Sequence, residues 1–213
     1  MLQAAFPDQP ACGGGQGGGG QGGGGQGGSC VPAANGWPTS QLPAGYAGTG
    51  YAVGDQAPVF IGADQNGSTD VSLAQFYGNM LVVAFHTGWN GPSNQAASSA
   101  ESLRNQLNGS YGFWIIDILL EGDNVGQPSQ PGDASDWANT YGLTYPVLSG
   151  QSAYDLGSPY NIMAVPTYVI LDPGLRIRDI IMGYPGDPAL TTAVNAARDA
   201  FLADNPGWTP PCP

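Results

Sequence analysis

The chain has 213 residues, room for one domain and an appendage, and a formal net charge of −12. Its basic residues are Arg104, Arg176, Arg178 and Arg198, with no lysine, which leaves no electrostatic footprint for nucleic acid or anionic lipid headgroups. No apolar stretch reaches the roughly 18 residues of a membrane-spanning helix. With 9% charged residues, solubility rests on Asn, Gln, Ser, Thr and Gly, and this composition suggests an exported protein.

The first twelve residues lack the positive start and long apolar run of a secretory signal. Ala11-Cys12 ahead of a glycine tract is nevertheless similar to the mature start of a bacterial lipoprotein, the alternative being a disordered polar terminus. Residues 13–28 contain only Gly and Gln in a GGGGQ repeat. Gly loses the most backbone entropy on ordering and Gln has little to bury, so the tract reads as a coil spanning roughly 20–25 Å, suited to a tether. Ordered stacking of such tracts in an assembly is the alternative. Residues 31–52, rich in Pro, Gly, Ala and Tyr, form a loop-like lead-in.

Regular elements follow. Ser72–Gly78 reads as a short helix with a Ser72 N-cap and a Gly78 stop. Met80–Phe85 is a buried strand. Ala96, Ala100, Leu103 and Leu107 fall at helical spacing after Ser93, and Gly109 ends that helix. Phe113–Leu120 is the next strand, and Asp133–Tyr141 a helix closed by Gly142. Thr167–Asp172 and Ile177–Met182 form a hairpin around Pro173-Gly174. Asp187 caps a last helix from Pro188, with Leu190, Ala193, Val194, Ala197 and Phe201 facing the sheet. The alternation predicts a mostly parallel sheet with helices on both faces. The segments divide as 1–50 (Gly/Gln-rich segment and lead-in), 51–204 (domain) and 205–213 (Pro-rich tail).

At the strand-to-helix turn stands Trp89-Asn90-Gly91-Pro92-Ser93, which resembles the Trp-Cys-Gly-Pro-Cys active site of thioredoxin-like proteins with Asn90 and Ser93 in the two cysteine positions. Val53-Gly54-Asp55-Gln56-Ala57-Pro58-Val59-Phe60 resembles the opening of redoxin domains. Tyr141 to Leu148 is similar to the segment before their penultimate strand. Ala164-Val165-Pro166-Thr167 is similar to their Val-Pro-Thr strand with its cis-proline. The chain thus resembles redoxins of the alkyl-hydroperoxide-reductase/thiol-specific-antioxidant and TlpA-like group over roughly residues 51–204. The resemblance implies an α/β, thioredoxin-like fold, a central mixed sheet flanked by helices, and no cofactor.

In such proteins the first cysteine is a thiolate stabilised at a helix N-terminus, and the second resolves the mixed disulfide. Asn90 has no ionisable nucleophile, so that reaction cannot begin. Asn is, however, a good N-cap, able to satisfy the amides a thiolate would face. Ser93 would need a base, and His86, the sole histidine, lies at the end of the preceding strand on the wrong side of the turn. Thr87 stands at the peroxiredoxin spacing from Asn90, but the peroxidatic cysteine is absent. The resemblance also implies a groove at Trp89, Val165, Pro166 and Thr167 that holds extended polypeptide without needing cysteine. The same residues equally serve folding.

Cys12, Cys30 and Cys212 all lie outside these motifs, and no Cys-x-x-Cys or His spacing supports a metal site. Cys30 and Cys212 each sit in a Pro-rich segment near a Gly-Trp pair. A disulfide between them would staple the termini and stabilise by about 3–5 kcal/mol in the loop-entropy model. Cys12 then remains for lipidation or an intermolecular bridge. Three reduced thiols are the alternative.

Three functional expectations result. The leading one is a redox-inactive thioredoxin-like domain, extracytoplasmic (periplasmic, surface-bound or secreted), that binds a protein or peptide partner or itself as a homo-oligomer. Membrane contact would come only through a lipid anchor. The second is an oxidoreductase using a cysteine outside the motif, and the third a structural subunit of an extracellular fibre or layer.

Overall fold

The longest apolar runs of the sequence become the two central strands. In a computed structural model, which describes residues 35–108 and 112–209, β3 (Met80–Thr87) is buried at all eight positions, and β4 (Phe113–Glu121) runs parallel beside it. A strand buried on both faces needs no polar alternation, which is why these segments read as continuous hydrophobic stretches. The remaining strands are β1 (Ile61–Asp64), β2 (Val71–Ser72), β5 (Val147–Ser149), β6 (Thr167–Leu171) and β7 (Ile177–Met182), and the sheet order is β2-β1-β5-β4-β3-β6-β7.

The expected mostly parallel sheet is corrected here. Only β3–β4 and β4–β5 are parallel, while β1–β2, β1–β5, β3–β6 and β6–β7 are antiparallel. The reason lies partly in the connections: helical crossovers return the chain in the same direction from β3 to β4 and from β4 to β5, whereas short connections reverse it from β1 to β2 and from β6 to β7. In the β6–β7 turn, Asp172 Oδ1 accepts from the Gly174 and Arg176 amides at 2.8 and 3.0 Å, the Asx geometry that favours reversal.

Alternate residues of β3 supply two cores. Met80, Val82 and Ala84 face α1 (Gly91–Asn108), α2 (Pro131–Tyr141) and α4 (Asp187–Asp204), through Leu103, Leu107, Trp137 and Val194 among others. Leu81, Val83 and Phe85 face Phe60, Leu73, Phe76 and Tyr160, a layer that also receives α3 (Gln151–Asp155) through Ala153. Residues Leu73–Phe76 form a single 3-10 turn; Ser72 caps it, accepting from the Ala74 amide, and Gln75 reaches back to the Ser72 amide at 2.9 Å.

Helix boundaries shift where local hydrogen bonding decides. α2 begins at Pro131, two residues ahead of the expected Asp133, because Asp133 reaches back to accept from the Gln130 amide at 2.7 Å. It ends, as expected, at a left-handed Gly142 (φ 64°). Asp187 does not cap α4 but lies within it, Gly186 taking the cap position; its carboxylate is occupied by Ser99 Oγ at 3.0 Å and Tyr184 OH at 2.6 Å.

The lead-in has neither helix nor strand between residues 35 and 60, yet it is part of the core. Trp37 is buried and donates from Nε1 to Asp64 Oδ2 at 2.7 Å. At the other terminus Trp208 stands edge-on to Phe201, ring centroids 5.5 Å apart, and donates to the Gly78 carbonyl at 3.2 Å. The Gly/Gln tract 13–28, Gly109 and all three cysteines lie outside the described residues. Among the described residues, no helix is long and apolar enough to cross a membrane.

Candidate functional site

β3 ends at Thr87, and within three residues the chain enters α1. Gly88 fits this tight passage because a side chain would meet the Gly122 carbonyl group about 3.0 Å away, and its amide donates to the Glu121 carbonyl at 2.8 Å. The turn is therefore pinned to the end of β4. Asn90 closes the helix start: its Oδ1 accepts from the Ser93 amide at 2.9 Å, and its carbonyl accepts from the Asn94 amide at 3.1 Å. That is N-cap geometry, delivered by the residue in the nucleophile position. Asn94 Nδ2 in turn donates to the Gly88 carbonyl at 3.1 Å.

Ser93 is fully buried, and its Oγ is a long 3.5 Å from the Thr87 amide. His86 is 2% exposed and faces inward, with Nε2 3.5 Å from Asp117 Oδ1. A Ser93–His86 pair able to attack an outside substrate does not form. Thr87 is also buried. Among the described residues no group of three or more His, Cys, Asp or Glu side chains is placed to hold a metal ion.

The candidate groove residues separate into two kinds. β6 runs antiparallel to β3 with Thr167 beside Phe85, so the start of β6 and the end of β3 share one edge of the sheet. Trp89 is 45% exposed there, its Nε1 donating to Glu121 Oε2 at 2.6 Å. Val165 is half-buried, and the Val165–Pro166 peptide bond is cis. Pro166 and Thr167 are buried. The Thr167 hydroxyl donates to the Ala164 carbonyl at 2.6 Å, and the Pro166 carbonyl accepts from the Gly183 amide at 2.7 Å. These two residues shape the loop from below, whereas Trp89 and Val165 reach its surface. The Val165 amide and carbonyl bond to no described residue.

Sequence reasoning missed two contributors to this edge. Met163, 76% exposed, precedes the cis-proline by three residues, and Met182, 52% exposed, pairs with Thr167. Neither belongs to a periodic pattern. Proximity to Val165-Pro166 was the one available signal for Met163. With Trp89 they place flexible and aromatic apolar side chains around an open backbone segment.

A polar layer also lies beneath the turn. Asp117, midway along β4, is buried; its Oδ2 accepts from Trp137 Nε1 at 3.1 Å and Tyr145 OH at 3.4 Å. Tyr168 OH and His86 Nδ1 have no partner among the described residues. A cavity of about 20 Å³ lined in part by His86, Asp117 and Tyr168 adjoins them, space for one water molecule. Burial, followed by the Asp117 charge, pushes the Tyr145 phenol well above its ordinary range, and Tyr168 is raised by the same causes in the same order.

Residues 53–180 match the AhpC/TSA family. Thioredoxin-like protein YneN of Bacillus subtilis (strain 168) is 27% identical over 134 residues, which cover 63% of this chain and 74% of YneN. Two solved structures share the fold. The thioredoxin domain of a thiol-disulfide oxidoreductase from Bacteroides vulgatus has a TM-score of 0.56 at 21% identity, covering 69% of this chain and 99% of that one. A secreted Mycobacterium tuberculosis disulfide oxidoreductase homologous to E. coli DsbE has a TM-score of 0.50 at 16% identity, covering 64% and 95%. The fold is thus thioredoxin-like, and with residues 53–180 of 213 matched the chain belongs to the AhpC/TSA family.

Proposed function

We propose that this protein is a redox-inactive thioredoxin-like domain that works outside the cytoplasm and holds an extended polypeptide against the Trp89–Val165 edge. The observation that carries the reading is a division of labour within one site. The nucleophile position is spent on capping a helix, while the adjacent backbone of Val165 keeps its amide and carbonyl available. An extended peptide pairs with exactly such a donor and acceptor through main-chain bonds, and Trp89, Met163 and Met182 supply apolar contact for its side chains. An extracytoplasmic location is supported by the relative described as secreted and by the lysine-free composition.

The test is a pair of proteins. The natural chain should not reduce insulin disulfides, whereas the double variant Asn90→Cys with Ser93→Cys should do so on an unchanged fold. The single variant Asn90→Cys should form a lasting mixed disulfide with a disulfide-bearing peptide, because Ser93 cannot resolve it. Insulin reduction by the natural chain that disappears when its thiols are alkylated would overturn the reading in favour of an oxidoreductase using Cys12, Cys30 or Cys212. A double variant that stays inert would show that the turn no longer presents its side chains as the fold requires.

A further inference from the structure

The four arginines of the chain all sit toward the Met80 end of the sheet. Arg176 and Arg178 belong to the β6–β7 turn and the start of β7, where Leu171 pairs with both Leu81 and Ile177. Arg176 donates to the Gly54 carbonyl, and Arg178 Nε to Asp172 Oδ2 at 2.6 Å. Arg198 stands within one turn of the Phe201 that meets Trp208 edge-on, and donates to Asp199 Oδ1 at 2.7 Å. Arg104, in the second half of α1, lies over the ring of Trp114, 6.0 Å from its centroid, and donates to Glu101 Oε1 at 2.8 Å. Trp114 in turn pairs with Leu81. At this end the chain itself completes a set of indole, carboxylate and cation.

The Thr87 end has the indole and the carboxylate but no arginine among the described residues. Glu121 pairs with Thr87, and its Oε2 accepts from Trp89 Nε1 at 2.6 Å, which fixes the ring while Trp89 stays 45% exposed. Asp123 Oδ1 comes within 3.4 Å of where a side chain on Gly88 would begin, so a second carboxylate borders the same turn. Across the sheet, Glu121 on β4 is followed by Thr87 on β3 and then by the segment leading into β6. Glu121 and the open Val165 backbone therefore stand two strand spacings, about 10 Å, apart.

From this asymmetry we infer that the polypeptide held at the Trp89–Val165 edge carries a lysine or arginine, its cation seated on the Trp89 ring against Glu121. The inference rests on the groove reading above and adds the chemistry of the occupant. A long lysine or arginine stem covers the distance from a main chain paired at Val165 to the indole, with its charged head left at the surface. An acidic segment would instead bring its carboxylates against Glu121 and Asp123 and be repelled. The net charge of −12 favours approach of a cationic partner, and no arginine at this end opposes it.

The experiment titrates the full chain into short labelled peptides of alternating threonine and valine, with lysine, norleucine or glutamate at the centre, and reads fluorescence anisotropy. At low salt the lysine peptide should bind about 5–10-fold more tightly than the norleucine peptide, as expected of one exposed cation–π contact plus one exposed ion pair. The glutamate peptide should bind more weakly than either, and added salt should close most of the gap. Glu121→Gln, which keeps an acceptor for Trp89, should cut the lysine preference to about twofold. Asp204→Asn, which removes an exposed carboxylate at the far end of α4, should keep the preference in full. Equal binding of the lysine and norleucine peptides, or equal loss of preference in Asp204→Asn and Glu121→Gln, would overturn the cation seat and leave the groove standing. Binding of none of the peptides would overturn the groove reading and this inference with it.

Discussion

β3 has two ends of opposite character. At Met80 the strand is closed by the chain itself: the Gly78 amide donates to Pro173, the Gly78 carbonyl accepts from Trp208, and the Met80 amide donates to Gly112. At Thr87 the neighbouring Val165 backbone is open, and Trp89, Met163 and Met182 are exposed. A buried polar group that lacks a partner destabilises a fold, so an edge that leaves main-chain groups open must keep them at the surface. The contrast teaches where the chain satisfies its own main-chain groups and where it leaves them for the polypeptide partner proposed above.

Three interventions probe that contrast. The largest effect is expected from Trp37→Ala, which empties a buried aromatic site on the layer facing Asp64 and removes a hydrogen bond to a buried carboxylate. It should cost about 3–5 kcal/mol in urea denaturation, with m unchanged. A cost near zero would mean that the lead-in merely rests on the domain.

A pH titration reaches the interior between the two ends. Tyr145, Tyr160 and Tyr168 are all raised above the ordinary tyrosine value of 10.0, burial being the main cause in each, and Tyr46 is raised to about 12 by burial and then by Asp172. Their folded pKa values exceed the unfolded ones, so the unfolded chain releases protons first as pH climbs past 10.0. Stability is then complete below that value and falls as pH rises above it. Tyrosinate absorbance of these residues should appear together with loss of the fold; ionisation of all ten tyrosines in a still-folded chain would contradict their burial.

The smallest effect separates structure from chemistry at the open end. Asn90→Ala should cost about 1 kcal/mol through loss of the Ser93 amide bond, whereas Asn90→Asp should be neutral or stabilising by a few tenths of a kcal/mol, since a negative cap also suits the helix N-terminus. Equal losses in both variants would show that Asn90 matters for something other than its cap.

Much of this architecture can be read from residue order because its central strands are uninterrupted apolar runs and its loops carry specific turn residues. Met80–Phe85 and the Gly142 stop belong to that legible part, while the cis bond before Pro166 is implied only by the resemblance to redoxins. β1, β2 and β5, at four, two and three residues, are too short to show a period, and they exist through pairing rather than propensity. Asp117 interrupts an apolar strand and looks anomalous until Trp137 and Tyr145, distant in sequence, supply its donors. Asp187 has the composition of a cap, yet Ser99 and Tyr184 claim it. Within the candidate site, residue identity revealed what Asn90 cannot do. It did not reveal that Thr167 turns inward, because facing depends on register against β3 and β7.

The bond from Trp208 to Gly78, separated by 130 positions, has a consequence for the order in which a ribosome delivers the parts. Everything that shapes the open end of β3 is present once Gly183 has emerged to meet Pro166. The opposite end must wait for Trp208, in the tail that follows the domain. During synthesis from the N-terminus the protein therefore completes its Trp89–Val165 edge first and locks the opposite end last.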